Sequence, residues 1–200
     1  MQFLFKRVGR EIRDAMLLCG VGPKLQADDR DVLELEIFPA LEAESQWKRV
    51  LFVGCHWYTW HYPKLLPSKE FVTIEINPAR RRYGASRHVI DSVEHLHRHF
   101  EKDSFEIVIM TGVIGWGLDE PDAANRTLLE IHDVLQPGGL MLLGCDSAPE
   151  HAPFDVCDLP AMEQFQPWTF PAWGSHRKDC DGDLGHYFLF YESRKLTPHA

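Results

Sequence analysis

The run RVLFVGCHWYTW, residues 49–60, decides how the rest of the chain is read. Its apolar stretch, Val50 to Val53, stops abruptly at Gly54 and Cys55. That is the pattern of a buried strand whose backbone must turn sharply at its carboxyl end, the place where open α/β sheets bind their ligands. About twenty residues further on, a second apolar run, Phe71 to Ile74, ends in Glu75. The spacing puts a carboxylate at the tip of the neighbouring strand, within reach of a pair of ribose hydroxyls.

Downstream, strand and helix signals alternate. The aromatic loop after Gly54 leads into a short helix interrupted by Pro63 and Pro67, and the strand at 71–75 passes through Asn77 and Pro78 into a helix over 78–83. His88 to Ile90 is a short strand ending at Asp91, and Val93 and Leu96 continue as a helical turn. Phe105 to Met110 is a strongly apolar strand that opens into Thr111, Gly112 and the segment Gly115 to Asp119. A long helix follows, with Leu128, Ile131, His132 and Leu135 on one face, Glu120 to Asp122 as its start and Pro137 to Gly139 as its stop. Leu140 to Leu143 is the fifth strand. Such alternation predicts a parallel sheet, because parallel strands need crossovers. Gly185 to Tyr191 reads as a terminal strand reached without a crossover helix, hence antiparallel. Upstream, Val8, Ile12, Ala15, Met16 and Cys19 share a helical face that stops at Gly20 to Pro23; this helix either lies against the core or folds over the cleft. Leu33, Leu35 and Ile37 suggest a short extended piece, and Pro39 to Ser45 another helical turn.

Bulk properties set the boundaries. Two hundred residues at 44% apolar content make one domain with a full-sized core. The formal net charge of −9 repels phosphate backbones and anionic lipid, so no nucleic-acid or membrane partner is expected. Arg80, Arg81 and Arg82 read as a solvated helix face. With no long apolar span or signal-peptide pattern, a cytoplasmic setting is expected. The five cysteines include no CxxC pair and read as reduced thiols. Residues His176, Cys180 and His186 lack the tight spacing of a metal site, and none is expected.

Over residues 48–145, with the terminal strand as a weaker extension, the sequence resembles the class I S-adenosylmethionine-dependent methyltransferases. VLFVGC looks like the family's first motif, VTIEINP its second-strand acid, HVIDS its third-strand acid, FEIVIMTGV its fourth strand and LQPGGLMLLG its turn into the fifth. The resemblance implies a Rossmann-like, doubly wound, mostly parallel seven-stranded sheet with an antiparallel C-terminal strand and helices on both faces. It divides the chain into a helical extension (1–45), a cofactor-binding core (46–146) and an acceptor-side segment with the last strand (147–200). It also implies S-adenosyl-L-methionine as cofactor. Glu75 would hold the ribose, Asp91 with Ser92 the adenine edge, Ile76 and Val93 the adenine faces, and Thr111 and Gly112 the methionine part, beside Gly54 and Cys55. The chain departs from the family at Phe52, where an acidic residue is usual, and at His56 and Tyr58, where further glycines are usual. The HWYTWHY loop therefore either moves outward or fills part of the methionine pocket; Tyr58 and Thr59 can hydrogen-bond the cofactor carboxylate, while His56 and Trp57 can occlude it.

Methyl transfer from a sulfonium is an in-line displacement that positioning alone can drive far, and a base is needed only where the acceptor holds its proton. His56, His61, Asp119 and Asp146 are the acid/base candidates near strand tips, although each reads more readily as a loop residue or cap. The Asn/Asp-Pro-Pro-aromatic motif of many amino-directed members is replaced by Thr111, Gly112, Val113 and Ile114, which leans towards an oxygen, carbon or sulfur acceptor and leaves nitrogen open, since many small-molecule N-methyltransferases also lack it. Trp116, between two glycines, either stacks on an acceptor or plugs the core; Trp168 and Trp173 belong to an aromatic wall over 147–184 that suits a planar small molecule. A small-molecule acceptor and a monomer or homodimer are expected, with a silent binding protein or another reaction on the same fold as the alternatives.

Overall fold

The computed structural model describes residues 12, 16, 17 and 21–196. The expected helix through Val8 and Cys19 lies largely outside the described residues; Ile12, Met16 and Leu17 are helical, and Ile12 and Met16 are exposed. The sheet is built from β1 (Arg49–Val53), β2 (Glu70–Ile74), β3 (Arg87–Val89), β4 (Phe105–Thr111), β5 (Leu135–Cys145), β6 (Phe165–Pro167), β7 (Arg177–Asp179) and β8 (Tyr187–Ser193). Its order is β3-β2-β1-β4-β5-β8-β6, with β7 also on β8. The first five strands pair in parallel and β8 runs antiparallel to β5. β6 meets residues 191–193 of β8 and β7 meets residues 187–189, so the two lie end to end along one edge. Eight strands thus fill seven positions, and the Rossmann-like expectation holds.

Period-two alternation places the core on both faces of the sheet. Leu51 and Val53 join a cluster with Val108, Met110, Met141, Leu143 and the apolar side of helix α2 (Pro121–Val134). Val50 and Phe52 point the other way, into Ile107, Ile109, Leu140, Leu142, Phe188 and Phe190. The family's usual acid on β1 is therefore replaced by a fully buried phenyl ring, Phe52, packed against Tyr62 and Phe71. Between strands, the expected helices contract to 3-10 turns at Tyr62–Lys64, Pro78–Tyr83 and Val93–Arg98. Pro137 to Gly139 does not merely stop α2. Leu135 already pairs with Phe105 and Leu140 with Ile107, so three extra residues bulge from β5.

The extended piece expected at Leu33 to Ile37 is helical. Asp28–Asp31, Val32–Ile37 and Phe38–Ala43 form one continuous helix, α1, whose middle is wound as a π-helix. The alternation of Leu33, Leu35 and Ile37 is a coincidence of two periods. Leu33, Ile37, Phe38 and Leu41 recur at helical spacing and are buried, whereas Leu35 is 71% exposed. Three aspartates in the first turn, Asp28, Asp29 and Asp31, complement the helix dipole. Among the described residues no helix is long and apolar enough to cross a membrane.

The helical register carries a direct test. Leu33→Ala should cost about 2–5 kcal/mol of unfolding free energy in urea titrations, the range for emptying a buried leucine site, and Leu35→Ala about 0.5 kcal/mol or less. Equal losses would place both side chains on the core and restore a strand.

Candidate functional site: two joined hollows at the strand tips

Glu75 follows β2 and is almost fully buried. Its Oε2 accepts a hydrogen bond from the Cys55 amide at 2.7 Å, and its Oε1 accepts one from the Asn77 amide at 2.8 Å. Arg80 stands 3.7 Å from Oε2. Each carboxylate oxygen can accept more than one bond, so the pair remains able to receive two hydroxyls. Beside it opens a hollow of about 170 Å³ bordered by Ile76, Asp91, Ser92, Val93 and Leu118. Ile76 is exposed and Val93 buried, giving apolar surface on the hollow's wall. Asp91 Oδ1 accepts from the Ser92 amide and His95 Nδ1, and Oδ2 from His99 Nε2; these bonds, from the histidines first, hold its carboxyl far below the usual range. Ser92 is the cap of the following turn, accepting from the Glu94 amide.

A second hollow of about 670 Å³ lies alongside. Gly54, Arg80, Gly112 and Trp116 border both, so the two adjoin. Gly54 turns the chain at φ 84°, a left-handed conformation that glycine adopts without steric cost, and its amide donates to Ile74. The following loop neither closes the site nor leaves it. His56 and Tyr58 line the larger hollow, while Trp57 and Trp60 lie outside the lining of both. Thr59 also lines it, but its hydroxyl is used within the turn, donating to His56 O and accepting from the His56 amide at 3.0 Å each. Burial, then Arg80, pushes the His56 imidazole below its ordinary pKa and keeps it neutral. Burial also pushes the Cys55 thiol up to about 12, with Glu75 adding to it, so this cysteine stays protonated.

Arg30 enters the larger hollow from α1, and sequence reasoning missed it. It is buried, 3.0 Å from Asp29 through Nε, and its guanidinium stands 5.0 Å from the Tyr58 ring centroid. Its Nη2 lies 3.7 Å from where a side chain on Gly112 would begin. Burial opposes its charge, yet Tyr62, Asp29 and Tyr58 more than offset this and keep it ionised. An isolated Arg in an acidic segment carries no sequence signal for such a position.

The third part of the site comes from strand register. β5 and β8 pair Cys145 with Tyr187, so the next residues out, Asp146 and His186, meet at the hollow's wall. His186 Nδ1 is 2.6 Å from Asp146 Oδ1, and Trp116 Nε1 donates to Oδ2 at 2.8 Å. Burial alone would raise the Asp146 pKa, but the hydrogen bonds from His186 and Trp116 outweigh it and hold the carboxyl below its ordinary value. An ionised carboxylate only accepts, so Nδ1 carries the proton that binds Asp146. His186 Nε2 is buried without a partner, as is Thr111 Oγ1. Both lie within 3 Å of the point where a side chain on Gly144 would begin, so only glycine leaves this space open. Trp116 stacks on His151 at 4.0 Å and 7°.

Of the residues singled out in the sequence, these hollows gather Gly54, Cys55, His56, Tyr58, Thr59, Glu75, Ile76, Asp91, Ser92, Val93, Thr111, Gly112, Trp116 and Asp146. His61 is placed elsewhere, buried with Nε2 2.9 Å from Glu34 on α1. Asp119 caps a local turn by accepting from the Gly117 amide. Trp168 and Trp173 pack against Phe170 and Phe190, because the β6–β7 segment folds its aromatic residues onto the α1 face of the sheet. None of these four borders either hollow.

A buried carboxylate with spare acceptor capacity, an apolar-walled hollow beside it and an ionised arginine in the adjoining cavity fit an adenosine joined to an amino acid. Residues 53–143 match the family model described as a methyltransferase domain. That match takes in 91 of the chain's 200 residues, and these form a methyltransferase domain whose cofactor is S-adenosylmethionine. Among solved structures, the N-methyltransferase NodS from Bradyrhizobium japonicum WM9 is similar at 14% identity and TM-score 0.60, over 84% of this chain and 100% of that one. A TehB-like S-adenosylmethionine-dependent methyltransferase from Corynebacterium glutamicum matches at 13% identity and TM-score 0.57, over 98% of this chain and 100% of its own. The 1,6-didemethyltoxoflavin-N1-methyltransferase of Burkholderia thailandensis matches at 15% identity and TM-score 0.52, over 88% and 94%. At such identities the likeness is one of fold. No curated protein sequence matches the chain.

The Asp146 environment makes stability depend on pH in a defined direction. Its folded-state pKa lies below the ordinary value, so its charge stabilises the fold above about pH 4, and that contribution is lost as pH falls through the lowered value. Thermal melts should show Asp146→Asn less stable than wild type at pH 7, with the gap narrowing below about pH 4. A gap that stays constant would mean that the charge of Asp146 adds nothing.

Proposed function

We propose that this methyltransferase acts on a small-molecule acceptor, with the adenosine of its cofactor in the smaller hollow and the reacting end in the larger one. The observation that carries this reading is the larger hollow itself. About 670 Å³ is bounded by the start of α1, the aromatic loop, Trp116 and the turn between β7 and β8, which is a cavity for a metabolite and its cofactor end. The Burkholderia thailandensis fold neighbour, whose structure holds 1,6-didemethyltoxoflavin with S-adenosylhomocysteine, supports a small acceptor on this fold.

When bound, S-adenosylmethionine supplies an electrophilic methyl group on a cationic sulfur. The chain's residues bind and orient. Glu75 accepts the ribose hydroxyls, Ile76 and Val93 flank the adenine, and Asp91 and Ser92 stand at its edge. Gly54 and Gly112 let the backbone come close, and Arg30 pairs with the amino-acid carboxylate above Tyr58. α1 and Trp116 exclude water from the reacting end. The unpaired cysteines Cys55, Cys145, Cys157 and Cys180 support a cytoplasmic setting.

Calorimetry tests the assignment. S-adenosylmethionine and S-adenosylhomocysteine should bind at micromolar levels and NAD should not. Glu75→Ala should weaken both by about 1–3 kcal/mol, the cost of lost charge-assisted hydrogen bonds. Arg30→Gln should weaken both by about 2 kcal/mol yet leave 5′-methylthioadenosine, which lacks the amino acid, unaffected. Unchanged affinity in folded Glu75→Ala protein would remove the ribose role.

A further inference from the structure

We propose that Trp116 is a preorganised stacking platform, and that the acceptor selected by this site is a flat aromatic ring laid against its indole. This rests on the methyltransferase reading above and names the acceptor class for the same site. Three features carry it: how the indole is held, what it leaves open and where it stands.

The indole is fixed at two points. Its Nε1 donates to Asp146 Oδ2 at 2.8 Å, and one ring face is stacked on His151, centroids 4.0 Å apart at 7°. Gly115 makes that backing possible. It turns at φ 78°, and a side chain there would begin 1.9 Å from His151 O, so only glycine lets the chain close in behind the ring. His151 is tied in turn, with Nδ1 3.2 Å from Gly115 O and its amide donating to Ala148 O at 2.8 Å. A side chain held in this way loses little further freedom when a ligand arrives, which is how preorganisation raises affinity.

What remains of the ring is bare. Trp116 is 54% exposed although one face is covered and its N–H is used, so the surface left over is the opposite face and its edge. Leu184, 39% exposed, also borders the larger hollow. Its carbonyl accepts the amides of Ser147 and Ala148, just beyond Asp146, at 3.1 Å each, so indole and leucine are anchored to the same stretch. His56 and Tyr58 add two further rings to the lining. Exposed apolar side chains scattered singly are ordinary, but a rigid indole and a leucine open on one cavity mark a ligand site. A flat ring answers an indole face by offset stacking, which a saturated ring of equal area cannot do.

Position sets this surface on the acceptor side rather than the adenine side. Asp146, which anchors the indole, follows β5, whereas Glu75 follows β2. The two strands stand three places apart in the sheet, roughly 14 Å at ordinary strand spacing. Ile76, Asp91 and Ser92 lie still further out, at the tips of β2 and β3. A ring on Trp116 therefore stands away from the adenine walls, in the hollow that takes the reacting end. His151 is a positioning residue here, since it acts through Trp116.

The test uses two alcohols of one skeleton, 2-naphthol and decahydro-2-naphthol, which differ in flatness and π surface. Calorimetry on the S-adenosylhomocysteine complex should find 2-naphthol about tenfold the tighter. Trp116→Leu, which keeps apolar bulk, should lose about tenfold for 2-naphthol and hold the saturated alcohol within about threefold. Trp116→Phe, which keeps a ring, should stay within about threefold of wild type for both. His151→Ala should weaken 2-naphthol about threefold, and His151→Phe, which restores a stacked ring, should recover it. In protein carrying 5-fluorotryptophan, 2-naphthol should shift the one of six fluorine resonances that is missing from Trp116→Phe. Equal affinity for the two alcohols, no binding of 2-naphthol, a shift confined to other tryptophans, or undiminished 2-naphthol affinity in Trp116→Leu or His151→Ala overturns the proposal. Displacement of 2-naphthol by S-adenosylhomocysteine overturns it too, since the cofactor would then cover the indole. Failure of the wild-type protein to bind S-adenosylhomocysteine would instead overturn the reading on which it rests.

Discussion

The Glu75 carboxylate joins the carboxyl ends of β1 and β2 by accepting the amides of Cys55 and Asn77. Charge-assisted bonds of this kind contribute about 1.5–3 kcal/mol each and leave no freedom to the backbone they hold. The Gly54 turn depends on them. Its shape leaves space where the strand tips diverge, between β1 and β4, where the order of the sheet reverses. Everything else that borders the site is arranged about that fixed turn.

The loop after Gly54 is shaped by its own hydrogen bonds. His56 and Thr59 bond each other's backbone, which curls the segment and sends only His56 and Tyr58 to the cavity. Trp60 reaches away and donates to Pro23 O at 3.1 Å, tethering the chain that leads into α1. Helix α1 then delivers Arg30 over Tyr58. Loop and helix thus define each other, and the cavity is the gap between them.

Much of the fold was legible in the sequence because its signals are local. Val50 to Val53, Phe71 to Ile74 and Phe105 to Met110 are continuous apolar runs, as strands buried on both faces must be. One misreading was a local conflict of period. Leu33, Leu35 and Ile37 satisfy alternation, yet Leu33, Ile37 and Leu41 satisfy a helix, and burial decided for the helix. Trp168 and Trp173 looked like a ligand wall because aromatic content does not reveal facing; β6 and β7 turned them onto Phe190.

By itself the sequence determined the parallel β/α alternation, the carboxylate at the tip of β2 and the glycine turn at the tip of β1. Each depends on residues within a few positions of one another, or on one strand-to-strand repeat. Only the tertiary structure decided that Asp146 and His186 meet, forty positions apart, through the antiparallel register of β5 and β8. The same holds for Arg30, carried in by a helix whose place is fixed by packing against the opposite end of the chain, where Trp173 donates to Glu36 at 2.7 Å. Long-range pairing leaves no periodic trace in a sequence, so the chemistry of the cavity emerged only where separate segments converged.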